Sequence, residues 1–492
     1  MGIVQRQGLR NTIISYFGLG LGFVNTALLM PRFLAADQVG LTRVLLSLAT
    51  IYAQLAAFGF ASAGIRFFPY FRNREAGHQG FLPLLLGLPM LGFAVISLAY
   101  WLGRPLILRA YDADAALLGP YYGWCALLAL FTLLYSLQDA YLKGLYHTAF
   151  SSFLQEVLLR VLIAGVTLLF GLGYLTFHQF VLAYILVNSV LALLLTGYLA
   201  YIGELHLRPT RAALQVRPVR ELLSFGAFAL LSNISGTVIS SIDALMVGSK
   251  VNLKAAGIYT TAFFISTALT IPFRSLYKIA FPLLADYWKE QDMARMAEFY
   301  RRTTRLNTVL GCYLALGIGL NLDFIYSLMK PEYAAGTTIV WILLAGRLLD
   351  GITGVNGLIV VTSPRYRFDL VFNVALAAGT VGLNLLLIPP LGMVGAAWAA
   401  LLALTSINVA RTWFVWHAYR LQPFDYRIGL ILGAAGAAAL AGWLVPPVHS
   451  LFVTMLLRSA ALTVVYAAGV LFTRAVPEVQ PLLQKLRGGL GA

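Results

Sequence analysis

The chain has 492 residues, of which 60% are hydrophobic and only 11% charged, and it carries a formal net charge of +16. A soluble domain carries about 25% charged residues, so a chain this apolar cannot cover its surface with polar groups. The basic excess could point to nucleic acid. Here, however, it falls at the ends of apolar blocks, with no soluble domain to present a basic face, so topology accounts for it and nucleic-acid binding is excluded.

The apolar blocks are close to the roughly 20 residues a helix needs to cross a hydrocarbon core. Backbone groups cannot stay unpaired in lipid, so each block is expected to be helical. Strict alternation, the mark of a barrel strand, is missing. Fourteen spans are expected, near 11–31, 40–64, 81–103, 120–142, 151–173, 179–201, 222–248, 256–280, 306–328, 337–360, 369–389, 393–416, 428–446 and 451–473. The first follows a short polar start and is read as a retained span, since no small-residue cleavage site stands out. Gly18, Gly20 and Gly22 lie inside it and are read as small residues for helix packing, not as a dinucleotide fingerprint. Asp286–Arg305 mixes charges and reads as a short amphipathic surface helix. Cys125 and Cys312 lie in apolar blocks and read as core residues.

With the start of the chain in the cytoplasm, the cytoplasmic loops hold most of the Lys and Arg. The opposite loops hold only Arg32, Arg104, Arg109, Lys250, Lys254 and Lys330. That asymmetry follows the positive-inside rule and puts both termini in the cytoplasm of an inner-membrane protein.

The two halves look related. Gly40 answers Gly257, Phe68-Pro69 answers Phe281-Pro282, and Gly173 and Asn188 answer Gly392 and Asn408, at offsets of 213–220 that allow a few gaps. Six spans per repeat make the repeat parallel. The fold class expected is therefore an all-α integral membrane protein: two parallel six-helix bundles around a central cavity, plus two extra C-terminal helices. The expected domains are 1–202, a cytoplasmic linker 203–221, a second bundle 222–420, and a terminal appendage with a cytoplasmic tail, 421–492.

The segments GLRNTIISYFGLGLGFVNTALLMPRFLAADQVGL, FASAGIRFFPY, ELLSFGAFALLSNISGTVISSIDALMVG and AAGIYTTAFFI carry a family likeness, strongest in LNLLLIPPLGMVGAAWAALLA. In that last segment Asn384, Leu387, Ile388, Pro389, Gly392, Gly395, Ala396 and Ala397 follow an LN-x-x-LIP-x-x-G-x-x-GAA pattern. Over almost its whole length the chain resembles the Wzx-type polysaccharide flippases of the multidrug/oligosaccharidyl-lipid/polysaccharide exporter superfamily. These are scaffold motifs: Pro389 is expected to end a helix and Gly392 to allow a tight turn. The resemblance implies export of an undecaprenyl-pyrophosphate-linked oligosaccharide from inner to outer leaflet, with surface-polysaccharide polymerase and glycosyltransferases as partners. A peptidoglycan-precursor flippase and a cation-coupled multidrug exporter share the superfamily and are the alternatives.

Ionisable residues at membrane depth cost about 2.5–3.5 kcal/mol each on insertion scales. Asp139 with Lys143 and Glu156 with Arg160 are spaced i,i+4, and Arg347 with Asp350 i,i+3, so each pair shares a helix face. Glu156, Asp350 and Asp139 are the candidates for coupling to H⁺ or Na⁺. Arg66, Arg160, Arg274, Lys278 and Arg347, with Asn25 and Gln54, are the candidates for binding pyrophosphate and sugar, because Arg offers phosphate a bidentate fork. Asp243 reads as structural, and Arg458, outside the repeat, as a lipid-headgroup or packing residue. No metal or cofactor is expected, and no G-x-x-x-x-G-K-[ST] is present to bind ATP. The longest outer loop, 104–119, offers only Asp112 and Asp114, so an enzyme is not expected.

Overall fold

A computed structural model of the protein describes residues 14–15, 17–210 and 216–477. The start of the first expected span, with Arg6, Arg10, Arg211, Lys485 and Arg487, lies outside them. The described residues form helices and no strand. In chain order these are α1 (17–33), α2 (Ala36–Ala57), α3 (Phe60–Phe71), α4 (Phe81–Leu102), α5 (Tyr122–Gly144), α6 (Thr148–Gly171) and α7 (Phe177–Tyr201). There follow α8 (Val219–Lys250), α9 (Leu253–Thr267), α10 (Thr270–Glu290), α11 (Met293–Gly319), α12 (Thr337–Ile352), α13 (Asn356–Thr362), α14 (Arg367–Tyr419), α15 (Tyr426–Trp443) and α16 (Leu451–Phe472).

Among the described residues ten helices are long and apolar enough to cross a membrane, or eleven when α9 and α10, bent by 53°, are taken as one span. The protein is thus a multi-pass membrane protein. The difference from fourteen has three sources. The first expected span is only partly described. The ninth falls in α11, whose first half carries Arg295, Arg301, Arg302 and Arg305. The eleventh and twelfth share the 53-residue α14, broken only at Gly392, where φ is 58° and ψ −140°. Pro389 was expected to end a helix and instead sits inside it; the break waits for the residue without a Cβ. Asp286–Arg305 also differs from a separate surface helix. Left-handed Gln291 ends α10, Asp292 accepts from the Arg295 amide at 2.9 Å, and α11 then runs without interruption into its apolar part.

The helices form two compact units. Unit one runs through Thr261 and includes Ile388–Met393; unit two holds Ala262–Leu387 and everything from Val394. Helix ends use side-chain caps where the chain turns. Thr176 and Gln179 form a reciprocal capping box on α7, and Ser450 accepts from the Val453 amide to start α16. In unit one, Asp114 of the 104–119 loop accepts from the Leu253 amide at 2.6 Å, and Asp243, buried on α8, accepts from Tyr259 at 2.7 Å. Both acids do structural work there. In unit two, Arg458 donates to the Leu320 carbonyl at 3.1 Å, satisfying the end of α11. Cys125 and Cys312 are free and buried.

Candidate functional site

In unit one, two helices leave regular α geometry where their polar residues sit. Val24–Leu29 of α1 is a π-helical turn that carries Asn25, and Leu154–Leu158 of α6 is another that carries Glu156. Such turns insert one residue into the helix and re-aim its side chains. Glu156 pairs with Arg160 at 2.6 Å, and the same guanidinium nitrogen donates to the Glu156 carbonyl at 3.0 Å. Asn25 is buried and its amide reaches the Arg160 carbonyl at 3.5 Å. The α1 glycines explain how a guanidinium fits here. A Cβ on Gly18 would stand 2.7 Å from Arg160 Nη1, and one on Gly22 would stand 2.8 Å from Arg160 Nε. Gly18 and Gly22 therefore make room for a cation as well as for a neighbouring helix. Gly20 faces open space.

Asp139 pairs with Lys143 at 2.6 Å. Tyr135 donates to the Ser151 carbonyl at 2.8 Å and lies within electrostatic reach of both Asp139 and Glu156. Asn25, Glu156, Arg160 and Asp139 are thus gathered in one region of unit one. Gln54 is half-buried on α2 and makes no side-chain hydrogen bond among the described residues. Arg66 is exposed on α3 and lies over the Phe225 ring, 4.4 Å from its centroid.

In unit two, Arg347 donates to Ser266 at 3.0 Å and lies over Phe263 at 4.6 Å. Asp350 accepts from Asn408 at 2.8 Å, with Arg347 and Arg411 within electrostatic reach. Asn356 donates to Asn408 at 3.1 Å and lies 3.2 Å from the Thr412 hydroxyl. Asp350 and Asn356 stand on either side of the break between α12 and α13, where Gly354 adopts φ 67°. Tyr277 donates to the Gly354 carbonyl at 3.1 Å. Arg274 and Lys278 are exposed on α10, and Arg274 has no ion pair or hydrogen bond among the described residues.

Sequence reading missed three cations. Arg411 of α14 donates to Asn373 at 2.8 Å and to Asp369 at 3.3 Å, and Asn373 donates to Asp369 at 2.9 Å. Arg305, 3% exposed, pairs with Asp425 at 2.7 Å. Arg43, half-buried on α2, lies within electrostatic reach of Tyr184. Arg43 and Arg411 were findable as lone cations inside expected spans. Arg305 could not be told from the basic residues flanking it. No cluster of three metal-ligating side chains occurs among the described residues.

Broken membrane helices with paired charges and amide side chains on their irregular turns are the arrangement in which multi-pass transporters place their binding groups. A family model described as "Polysaccharide biosynthesis protein" matches residues 29–325, and the chain belongs to that family. It is 25% identical over 159 residues to the teichuronic acid biosynthesis protein TuaB of Bacillus subtilis (strain 168). That match takes in 32% of each chain, so the protein spans about a third of the length of this curated relative. Among solved structures it is similar to a lipid II flippase, MurJ, in an inward closed conformation, with TM-score 0.74 and 11% identity over 94% of this chain and 98% of that one. It is also similar to an inward-facing multidrug resistance MATE transporter of the MOP superfamily, with TM-score 0.63 and 14% identity over 83% and 94%. At such identities these likenesses show the fold. The two solved neighbours are by name a flippase and a transporter, and the family's description names polysaccharide biosynthesis.

Proposed function

We propose that the protein flips an undecaprenyl-pyrophosphate-linked oligosaccharide from the inner to the outer leaflet of the bacterial cytoplasmic membrane, for surface polysaccharide such as O-antigen. Both termini lie in the cytoplasm, and two parallel six-helix bundles, 1–202 and 222–420, alternate access around a central cavity, with 203–221 as linker and 421–492 as appendage. The observation that carries this reading is the guanidinium of Arg160, held inside unit one against a glycine-faced α1 by a single carboxylate. Arg paired this way can exchange its carboxylate for the denser charge of a pyrophosphate without leaving a bare cation in lipid. Arg66, Arg274 and Lys278 offer a basic entrance to the same anion, Arg347 a further contact, and Asn25 and Gln54 offer hydrogen bonds to sugar. Glu156, Asp350 and Asp139 are the carboxylates for coupling to H⁺ or Na⁺. A polymerase and glycosyltransferases supply and consume the cargo.

A second reading, flipping of a peptidoglycan lipid precursor, is favoured by a fold match that covers nearly all of both chains. Proteoliposomes holding the purified protein decide between them. Translocation of a lipid-pyrophosphate oligosaccharide, with no movement of the peptidoglycan precursor, supports the first reading. The reverse result removes it.

A further inference from the structure

In unit one, the turn between α3 and α4 (72–80) is covered by a strap of chain that leaves α7 (202–210), and their contact is built around one carboxylate. Glu204 is buried; it accepts from His78 Nε2 at 2.8 Å and pairs with Arg74 Nε at 3.2 Å, while His206 Nε2 stands 3.8 Å away. Further along, the Thr210 hydroxyl donates to the Gln79 carbonyl at 2.5 Å. The turn is bent to meet this strap. Gly77, His78, Gln79 and Gly80 are all left-handed, at φ 56°, 49°, 54° and 76°. Two of the four carry side chains, and such backbone persists only where its surroundings hold it. Here the strap does the holding: a Cβ on Gly77 would stand 3.2 Å from His206 Cγ, and one on Gly80 would run into the Thr210 hydroxyl.

An ionised carboxylate only accepts, so His78 Nε2 carries a hydrogen. Nδ1 of His78 and Nε2 of His206 are buried and have no hydrogen-bond partner among the described residues. The His78 ring packs against Phe68 of α3 at 5.1 Å, Tyr141 of α5 at 6.2 Å and the His206 ring at 6.1 Å. Among the described residues, four further charged or titratable groups face the cluster. Arg74 projects into solvent from the turn, and Tyr141 donates to the Glu204 carbonyl at 3.4 Å. Arg72, just past α3, is committed to the Gly144 carbonyl at 2.6 Å. Arg208 lines a cavity of about 390 Å³ between strap and turn, which His206 and Gly77 also line, so water reaches the His206 ring. Imidazole is the side chain that changes charge between about pH 5 and 8. A charged imidazole adds the attraction of opposite charges to its contact with a carboxylate, and burial leaves that attraction little screened. His206, beyond hydrogen-bond range, is drawn to Glu204 only when charged. Acid therefore tightens the strap on the turn. Alkali leaves Glu204 with one neutral donor and an exposed, solvent-screened Arg74.

Resting on the reading of 203–221 as the cytoplasmic linker of a flippase, we propose that Glu204, His78 and His206 form a pH-sensitive latch: acidification of the cytoplasm fastens the linker to the α3–α4 turn and slows flipping, and alkalinisation frees it. The probe is Leu205→Cys, half-buried on the strap, in the full-length protein in inverted membrane vesicles. A membrane-impermeant maleimide is the reagent. Thiols react faster at high pH, so each labelling rate is divided by that of Leu205→Cys in a Glu204→Gln background at the same pH, where no carboxylate holds the strap. The ratio should lie several-fold below one at about pH 6 and approach one by about pH 8. The double variant His78→Gln/His206→Gln should give a constant ratio; Gln79 shows that glutamine takes the left-handed backbone of this turn. Without any substitution, hydrogen exchange of the Glu204 and His206 amides, corrected for its chemical pH dependence, should rise over the same interval, as should flipping with equal pH on both sides. A ratio that ignores pH, or a double variant that keeps the full change, overturns the proposal. So does labelling confined to right-side-out vesicles, which places the strap on the outer face. The labelling does not depend on cargo. A pH-dependent ratio without oligosaccharide translocation leaves the latch standing and removes the proposed cargo. Translocation with a flat ratio removes the latch and leaves the cargo.

Discussion

Replacing Arg160 tests the cargo reading most directly, because its charge and its fit can be changed separately. Arg160→Ala removes a charge-assisted contact to pyrophosphate worth about 1.5–3 kcal/mol. At about 1.4 kcal/mol per tenfold, that is a loss of roughly ten- to a hundredfold in affinity for the lipid-linked substrate. The i,i+4 pair with Glu156 itself contributes only about 0.5 kcal/mol to a helix, so unfolding should not dominate. Arg160→Ala does leave the Glu156 carboxylate alone at depth, with 32% of its side chain exposed. The double variant Glu156→Gln/Arg160→Gln removes both charges and serves as the stability control. Gly22→Ala supplies the third arm. Its new Cβ would stand 2.8 Å from Arg160 Nε, so the guanidinium must move while every charge is kept. The assay is surface polysaccharide per unit of membrane-inserted protein, supported by translocation in proteoliposomes. All three variants should fall at least tenfold, and Arg160→Lys should recover only part, since it restores charge without the fork. Normal export by Arg160→Ala at wild-type protein level would refute the reasoning.

Other outcomes follow from the same geometry. Arg305→Leu strands Asp425, which also caps α15 through the Arg427 amide at 3.1 Å. Breaking a buried pair from one side costs about 3–5 kcal/mol. Thermal unfolding in detergent should show a clear loss, with Asp425→Asn restoring part of it in a double-mutant cycle. Asn408→Leu takes the 2.8 Å donor from Asp350 and the 3.1 Å acceptor from Asn356; hydrogen bonds of this kind in membrane proteins are worth about 0.6–1.7 kcal/mol each. A modest loss of stability is expected, with a larger change in the dependence of translocation on the ion gradient; an unchanged gradient dependence would detach Asp350 from coupling. Arg274→Ala should weaken substrate capture and Arg274→Lys should preserve it, because an exposed cation without a fixed partner acts through charge alone; equal loss in both variants would point to packing instead.

The helical, membrane-crossing character was legible because lipid leaves the backbone only one economical choice over these lengths. The i,i+4 pairs Asp139–Lys143 and Glu156–Arg160 were legible because their partners share one helix. Arg305–Asp425 and the Arg411–Asp369–Asn373 group were not, since they join residues 120 and about 40 positions apart, which one sequence does not connect. Glycines gave a mixed result. Gly392 was read as a turn and is one, although the helix carries on past Pro389 to reach it. Gly18 and Gly22 were read only as packing residues, because the guanidinium that needs their missing side chains arrives from α6.

The irregular backbone was the least legible part, and the polar residues cluster on it. Asn25 and Glu156 sit on π turns, and Asp350 and Asn356 flank a broken helix. A π turn has no residue signature comparable to a proline or a cap, so Val24–Leu29 and Leu154–Leu158 read simply as apolar span. Yet an irregular turn at membrane depth is tolerated only where protein or a water-lined cavity satisfies the freed groups. The converse then applies: where an amide or a carboxylate coincides with a broken ladder inside a span, that face points away from lipid. On this ground Asn25, Glu156, Asp350 and Asn356 belong to the protein interior before any cargo is considered. Of the candidate cations at depth, Arg160 is the one held by a group on such a turn.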